Sequence, residues 1–173
     1  MLYDLIIINQ KIDISVLKNQ INERTKILCL QPSFAAELEE SGINYENSIH
    51  FFGAEGHKNT LLLSTEVVEK IRPFLKHLCH DKFCRTFEIN WIFNFRFHLH
   101  CWISIIHIIH KAVEKHQPDR LVIFGSRPDE LIQKNEDRPC FLNVLVKHYG
   151  EAHGIKTKFI KHKINRKGSC IDF

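Results

Sequence analysis

The sequence has little glycine, and the turn after its first apolar run has none. Seven glycines occur among 173 residues, and the segment from Ile8 to Asp13 contains no glycine. A dinucleotide-binding turn needs glycines at this place, because the backbone must approach the pyrophosphate closely. Nicotinamide and flavin cofactors bound through such a turn are therefore disfavoured, and we expect no cofactor.

Other catalytic and metal-binding motifs are also absent. The chain has no G-x-x-x-x-G-K-[ST], G-x-S-x-G, H-E-x-x-H or C-x-x-C pattern. Its six cysteines form no regular framework, so we expect reduced thiols and a cytoplasmic location. The segment 77–84 holds His77, Cys79, His80 and Cys84, but no second ligand pair follows elsewhere. A helix end followed by a loop is favoured there, and we expect no metal.

Long uninterrupted apolar runs are missing as well. The apolar run at the N-terminus stops at Asn9 and lacks the basic start of a signal peptide. The most apolar long segment, residues 87–113, contains Arg96 and four histidines. Because a membrane span needs about 18 or more consecutive apolar residues, the sequence predicts no span.

Short apolar runs alternate with helical patterns along the chain. Such continuous runs are typical of strands that are covered on both faces. The predicted strands are Leu2–Ile8, Lys26–Leu30, Ser48–Phe52, Leu121–Phe124 and Ile155–Ile160. The predicted helices are Asp13–Glu23, Phe34–Ser41, Thr60–Cys79, Phe87–His116 and Pro139–His153. The alternation predicts a three-layer, doubly wound, Rossmann-like α/β fold with a mostly parallel five-stranded sheet in the order 3-2-1-4-5.

This strand order places a candidate ligand site. The order reverses between the first and fourth strands, and ligands bind beyond the carboxyl ends of the strands at such a point. The residues expected to line the site are Asn9, Gln10, Gly125, Ser126 and Arg127. Arg127 is the best anion anchor among them, although Gly125–Arg127 also fits an ordinary turn.

Histidines offer a second set of candidates. On the predicted long helix, His100 and His107 share one face, and His110 lies near them. They could form a metal or proton-transfer site, but a solvated polar stripe is favoured because no carboxylate or cysteine completes a ligand set. We expect residues 53–59 to form a mobile loop, and His57 within it is a speculative general base.

The positive charge is concentrated at the C-terminal end. Of 24 Lys and Arg against 20 Asp and Glu, residues 156–173 hold six against one, which leaves 18 against 19 for residues 1–155. We therefore predict an α/β domain over residues 2–161 and a basic tail over residues 162–173. Residues 155–161 suit an edge strand protected by lysines. The candidates for contact with an anionic surface are Lys158, Lys161, Lys163, Arg166 and Lys167, and nucleic acid is disfavoured because aromatic residues are sparse there.

Two stretches resemble a known family. The first runs from Thr25 to Tyr45, a strand and a short helix leading to the Gly42-Ile43 step. The second runs from Val113 to Gly125, with Pro118-Asp119 before an apolar strand, and continues through the helix 141–153 to Gly154-Ile155. Together they resemble the N-terminal Rossmann-like domain of GT-B glycosyltransferases and related surface-polysaccharide biosynthesis proteins.

The resemblance implies a function for this chain as one lobe of a larger enzyme. In that family the N-terminal domain mainly binds the acceptor, and a second domain holds most nucleotide-sugar contacts. The expected partners are a sugar or lipid-linked acceptor, a sugar nucleotide, and the inner face of the membrane as a peripheral contact. No catalytic residue is carried over, so enzymatic activity of the chain alone stays open. The alternative is a non-catalytic α/β module that docks on an anionic partner or membrane surface through its basic C-terminal end.

Overall fold

The computed structural model describes residues 2–78, 82–125 and 141–161. Its centre is a five-stranded, entirely parallel sheet in the order β3-β2-β1-β4-β5. The strands are β1 Asp4–Ile8, β2 Thr25–Cys29, β3 Glu46–Asn47, β4 Arg120–Phe124 and β5 Lys156–Ile160. The predicted Rossmann-like fold and strand order are confirmed.

The helices follow the strands in the expected alternation. They are α1 Ile14–Lys18, α2 Pro32–Glu40, α3 Ala54–Leu78, α4 Lys82–His116 and α5 Phe141–His153. Asp13 caps α1, because its carboxylate accepts a hydrogen bond from the backbone N–H of Ser15 at 2.8 Å. Pro32 occupies the first position of α2, where its missing N–H costs nothing.

Apolar side chains on both faces of the central strands explain their continuous hydrophobic runs. All five residues of β1 are buried, and so are the last four of β4. One face of the sheet packs against α1 and α2, where Leu17, Phe34 and Leu38 are fully buried. Because both faces of the inner strands are covered, nearly every position in them must be apolar.

The chain forms two compact units. The first comprises residues 1–48 with 112–173 and contains the sheet; the second comprises residues 49–111, with α3 and most of α4. The predicted boundaries, 2–161 for the domain and 162–173 for the tail, stay predictions, and the tail lies outside the described residues.

Several predicted elements differ from the structure. The strand predicted at Ser48–Phe52 is wrong: β3 is Glu46–Asn47, and Ser48–His50 form a 3₁₀ turn. The loop predicted at 53–59 is also wrong, because α3 begins at Ala54. Helix α1 ends at Lys18 rather than Glu23. The first two errors share a cause, since the apolar run Ile49–Phe52 and the two glycines after it imitate a strand followed by a loop.

A cross-strand ion pair lies at the amino edge of the sheet. Asp4 and Arg120 are register partners on β1 and β4, and the guanidinium donates two hydrogen bonds to the carboxylate, at 2.9 and 2.6 Å. The Asp4 side chain is 7% exposed and that of Arg120 is 28% exposed. The hydrogen bonds from Arg120 to Asp4 raise the pKa of the guanidinium further, so Arg120 is charged at every physiological pH.

Candidate functional site

The carboxyl ends of β1 and β4 meet at the point where the strand order reverses. β1 ends at Ile8 and β4 ends at Phe124, and these strands are neighbours in the sheet. Directly after β1, the Gln10 side-chain amide donates a hydrogen bond to the carbonyl oxygen of Phe124 at 3.2 Å. Gln10 therefore ties the two strand ends together at the predicted ligand site.

Gly125 follows β4 in a conformation that only glycine adopts readily. Its φ is +134°, and a Cβ built on it would lie 2.6 Å from the Asn143 side-chain nitrogen. Its backbone N–H donates to the Ile160 carbonyl at 2.8 Å. That hydrogen bond joins the end of β4 to the end of β5. The glycine allows close approach of the backbone to Asn143.

Asn143 is a member of this site that the sequence analysis missed. It is the third residue of α5, and only 2% of it is exposed. It stands among apolar residues of the helix, next to Leu142 and Val144, and belongs to none of the motifs considered. Asn143 therefore places a buried polar side chain at the closely packed edge beside Gly125.

The structure brings together some of the predicted site residues. Gln10 and Gly125 lie at the same edge, both near Phe124, and Asn9 is half-buried at the end of β1. Ser126 and Arg127 lie outside the described residues. The described part of the site therefore consists of amide side chains and backbone.

His57 and His100, which are 43 residues apart in sequence, meet in the second unit. Their ring centroids are 5.0 Å apart at an interplanar angle of 87°. His57 is exposed in the first turns of α3, so it is not the loop residue that the sequence predicted. Phe52 lies 6.1 Å from His57 and 6.0 Å from His107, ring centroid to ring centroid. The cluster is aromatic and histidine-rich, and the role of His57 as a general base stays a prediction.

Metal ligation finds no support within residues 2–78, 82–125 and 141–161. No group of three or more His, Cys, Asp or Glu side chains is arranged there to hold an ion. For the segment 77–84 the absence of a metal stays a prediction, since Cys79 and His80 lie outside the described residues.

The basic end is partly described. Lys158 lies on β5, which is an edge strand as predicted, and its ammonium donates to the Gln20 side-chain oxygen at 3.1 Å. Lys161 follows the strand, and Lys163, Arg166 and Lys167 lie outside the described residues. The described lysines thus fit edge protection, with Lys158 engaged by the protein itself.

Comparisons with known proteins give no family for this chain. No protein-family model, curated protein or solved structure matches it.

A polar cluster in the sheet-bearing unit involves β3 and the end of α4. Glu46 accepts a hydrogen bond from the Lys115 ammonium, and its other oxygen lies 2.7 Å from His116 Nε2. The second ring nitrogen of His116 lies 3.4 Å from the Tyr3 hydroxyl. Burial alone would raise the pKa of Glu46, but the hydrogen bonds and charges of Lys115 and His116 outweigh it and lower that pKa below its ordinary value of 4.5. The cluster therefore stabilises the end of α4 against β3.

This cluster predicts a pH-dependent contribution to stability. A lowered folded-state pKa means that the Glu46 carboxylate favours folding above its ordinary pKa, and that this contribution disappears as pH falls through the lowered value. We expect Glu46→Gln to lower the free energy of unfolding by about 1–2 kcal/mol at pH 7 and by much less below about pH 4. Urea unfolding at both pH values measures this. Glu23→Gln, at an exposed glutamate, is the control, and an equal loss for Glu46→Gln at both pH values would contradict the prediction.

Proposed function

We propose that this chain is the acceptor-side lobe of a GT-B-type glycosyltransferase in cell-surface carbohydrate biosynthesis, with its ligand at the carboxyl ends of β1 and β4. The observation that carries the proposal is the meeting of Gln10, Gly125 and Asn143 at the reversal of the strand order. This is the position where open parallel sheets bind their ligands.

The chemistry of the site supports a carbohydrate ligand. Amide side chains offer both donors and acceptors, as sugar hydroxyl groups do, and they carry no charge. Asn9, Gln10 and Asn143 supply three amides near one edge. The amino end of α5 lies there too, and its backbone N–H groups favour an electronegative group such as a phosphate on the acceptor. Arg127, which lies outside the described residues, stays the predicted anion contact.

The proposal assigns binding rather than turnover to this lobe. In the family that the sequence resembles, transfer takes place in a cleft between two domains. Among the described residues, the contacts that join the two strand ends are made by the Gln10 amide and by backbone groups, which fits an acceptor-holding role. The alternative, a docking module that uses its basic C-terminal end, is supported only by Lys158 and Lys161 within the described residues.

Titration monitored by ¹H–¹⁵N correlation spectra tests the proposal. Uridine diphosphate sugars, free hexoses and a short-chain polyprenyl phosphate are added in turn to the labelled chain. We expect shifts at the Gly125 amide and at the Gln10 and Asn143 side-chain amides, and at least tenfold weaker binding in Gln10→Ala. Gln20→Ala is the matched control, because Gln20 is also an amide but contacts Lys158.

Two outcomes would contradict the proposal. If none of the three ligand classes shifts these amides, the carboxyl ends of β1 and β4 are not the ligand site. Shifts confined to Lys158 and Lys161, lost steeply as salt concentration rises, would favour the docking module instead. Unchanged binding in Arg127→Ala would remove only that residue from the site.

A further inference from the structure

Helix α4 exposes a stripe of large apolar side chains. Ile89, Phe93 and Phe97 are 68%, 72% and 53% exposed. Their four-residue spacing puts them on one face of the helix, along about 12 Å of its length. Phe74 of α3, in the same unit, is 72% exposed. Scattered exposed apolar residues are ordinary, but a row of this kind marks a surface that contacts a membrane or another protein.

The side of this helix segment that packs within the unit is a different one from the stripe. Trp91 and Phe95 stack on each other at 4.8 Å between ring centroids, and Trp91 is 36% exposed. Ile92 and Leu99, on the same side as this stacked pair, are half-buried. The segment thus has one side that packs within the unit and a second apolar side, the Ile89–Phe93–Phe97 stripe, that the described residues leave open.

Charge decides between the occupants of this stripe. The stripe itself, residues 89–97, contains no Asp or Glu and one charged residue, Arg96. Arg96 is exposed and lies about 20° from Ile89 around the helix. A second copy of the chain that packs stripe against stripe would bring two Arg96 guanidinium groups together at an apolar contact, which is unfavourable. An anionic lipid surface complements both the rings and the charge.

The same helix is long and apolar enough to cross a membrane, but its C-terminal end makes contacts within the protein. Residues Ile89–His116 meet the length and composition of a span, and only 11% of the most apolar window is buried. However, Ile109 and Ala112 are buried, and Lys115 and His116 contact Glu46. The stripe, residues 89–97, is too short to cross a bilayer by itself, so the contact inferred below is with the membrane surface.

We infer that the Ile89–Phe93–Phe97 stripe of α4 docks the second unit on an anionic bilayer surface. The rings enter the boundary between headgroups and acyl chains, and Arg96 contacts lipid phosphates. This inference does not rest on the proposed glycosyltransferase function, and it places the membrane contact on α4 rather than on the basic C-terminal end.

Vesicle co-sedimentation tests the inference with the full chain. Phosphatidylcholine vesicles with about one third phosphatidylglycerol are compared with pure phosphatidylcholine vesicles. We expect binding to the anionic vesicles, and a decrease of about tenfold for each ring removed in Phe93→Ser and in Phe93→Ser/Phe97→Ser. Ile49→Ser is the matched control, because Ile49 is 71% exposed in the same unit but lies outside α4. Both phenylalanines are largely exposed, so the variants are expected to keep the native circular dichroism spectrum.

A spectroscopic measurement places the helix directly. The chain has two tryptophans, so Trp91→Phe/Trp102→Phe combined with Phe93→Trp leaves one tryptophan, on the stripe itself, as the only reporter. We expect a blue shift of its emission with anionic vesicles and quenching by lipids brominated near the headgroup.

Three results would overturn the inference. The first is vesicle binding unchanged in Phe93→Ser/Phe97→Ser. The second is binding lost only in Lys163→Gln/Arg166→Gln/Lys167→Gln, which would assign the contact to the basic end. The third is a dimer of the wild-type chain that dissociates in the double serine variant without any vesicle binding, which would make a second copy the occupant.

Discussion

Replacing Arg120 with alanine is expected to destabilise the sheet-bearing unit by about 3 kcal/mol. The loss arises because the side chain of Asp4 is only 7% exposed, and its carboxylate is left without its two charge-assisted hydrogen bonds. Breaking a buried ion pair from one side typically costs about 3–5 kcal/mol, and the partial exposure of Arg120 places it at the lower end. Hydrogen exchange of the β1 and β4 amides reports on this unit, and their protection should fall by roughly two orders of magnitude.

Two further variants identify the origin of this loss. Asp4→Val/Arg120→Val should recover at least half of it, because the two side chains are register partners and an apolar pair leaves no buried charge. Lys70→Ala, which removes an exposed i,i+4 pair with Glu66 at nearly the same distance, should cost no more than about 0.5 kcal/mol. A double variant that is less stable than Arg120→Ala would contradict the explanation.

The fold follows from the sequence wherever burial on both faces is required. β1 and β4 are predicted close to their observed bounds, because Leu5–Ile8 and Leu121–Phe124 are continuous apolar runs and are fully buried. β3 could not be found this way, since Glu46–Asn47 is a two-residue edge strand of polar residues. Gly56 contributed to the wrong prediction of a loop at residues 53–59. It is in fact a buried residue of α3, and a Cβ there would lie 3.1 Å from His107 Nε2. Its role is close packing rather than a turn.

The candidate site divides in a similar way. The position of Gln10 and Gly125 at one edge follows from strand order alone, and the structure places them together. Asn143 does not follow, because its contact with Gly125 spans 18 residues and depends on how α5 packs on β4. The approach of His57 to His100 is likewise a tertiary contact between two helices. It could not be predicted, because His57 was expected to lie in a loop.

A close contact between α5 and β5 depends on Gly150. This residue is buried in α5, and a Cβ built on it would lie 2.4 Å from Thr157 Oγ1 and 2.8 Å from the backbone oxygen of Ile155. A hydrogen bond lies at the same place, since the Ile155 N–H donates to the Gly150 carbonyl at 2.8 Å. The absence of a side chain at position 150 therefore allows α5 to approach the edge strand.

Gly150→Ala is expected to lower the free energy of unfolding by about 2–3 kcal/mol, although alanine by itself favours a helix by roughly 1 kcal/mol over glycine. Adding Thr157→Ala should recover only part of the loss, because the Ile155 oxygen belongs to the backbone and cannot rotate away. Gly154→Ala is the control four residues later, where φ is +67° and nothing lies within 4 Å of the added Cβ. It should cost about 1 kcal/mol through backbone strain alone. Because the two glycines differ in contact and in φ, a Gly150→Ala variant no less stable than Gly154→Ala would mean that α5 shifts freely against β5.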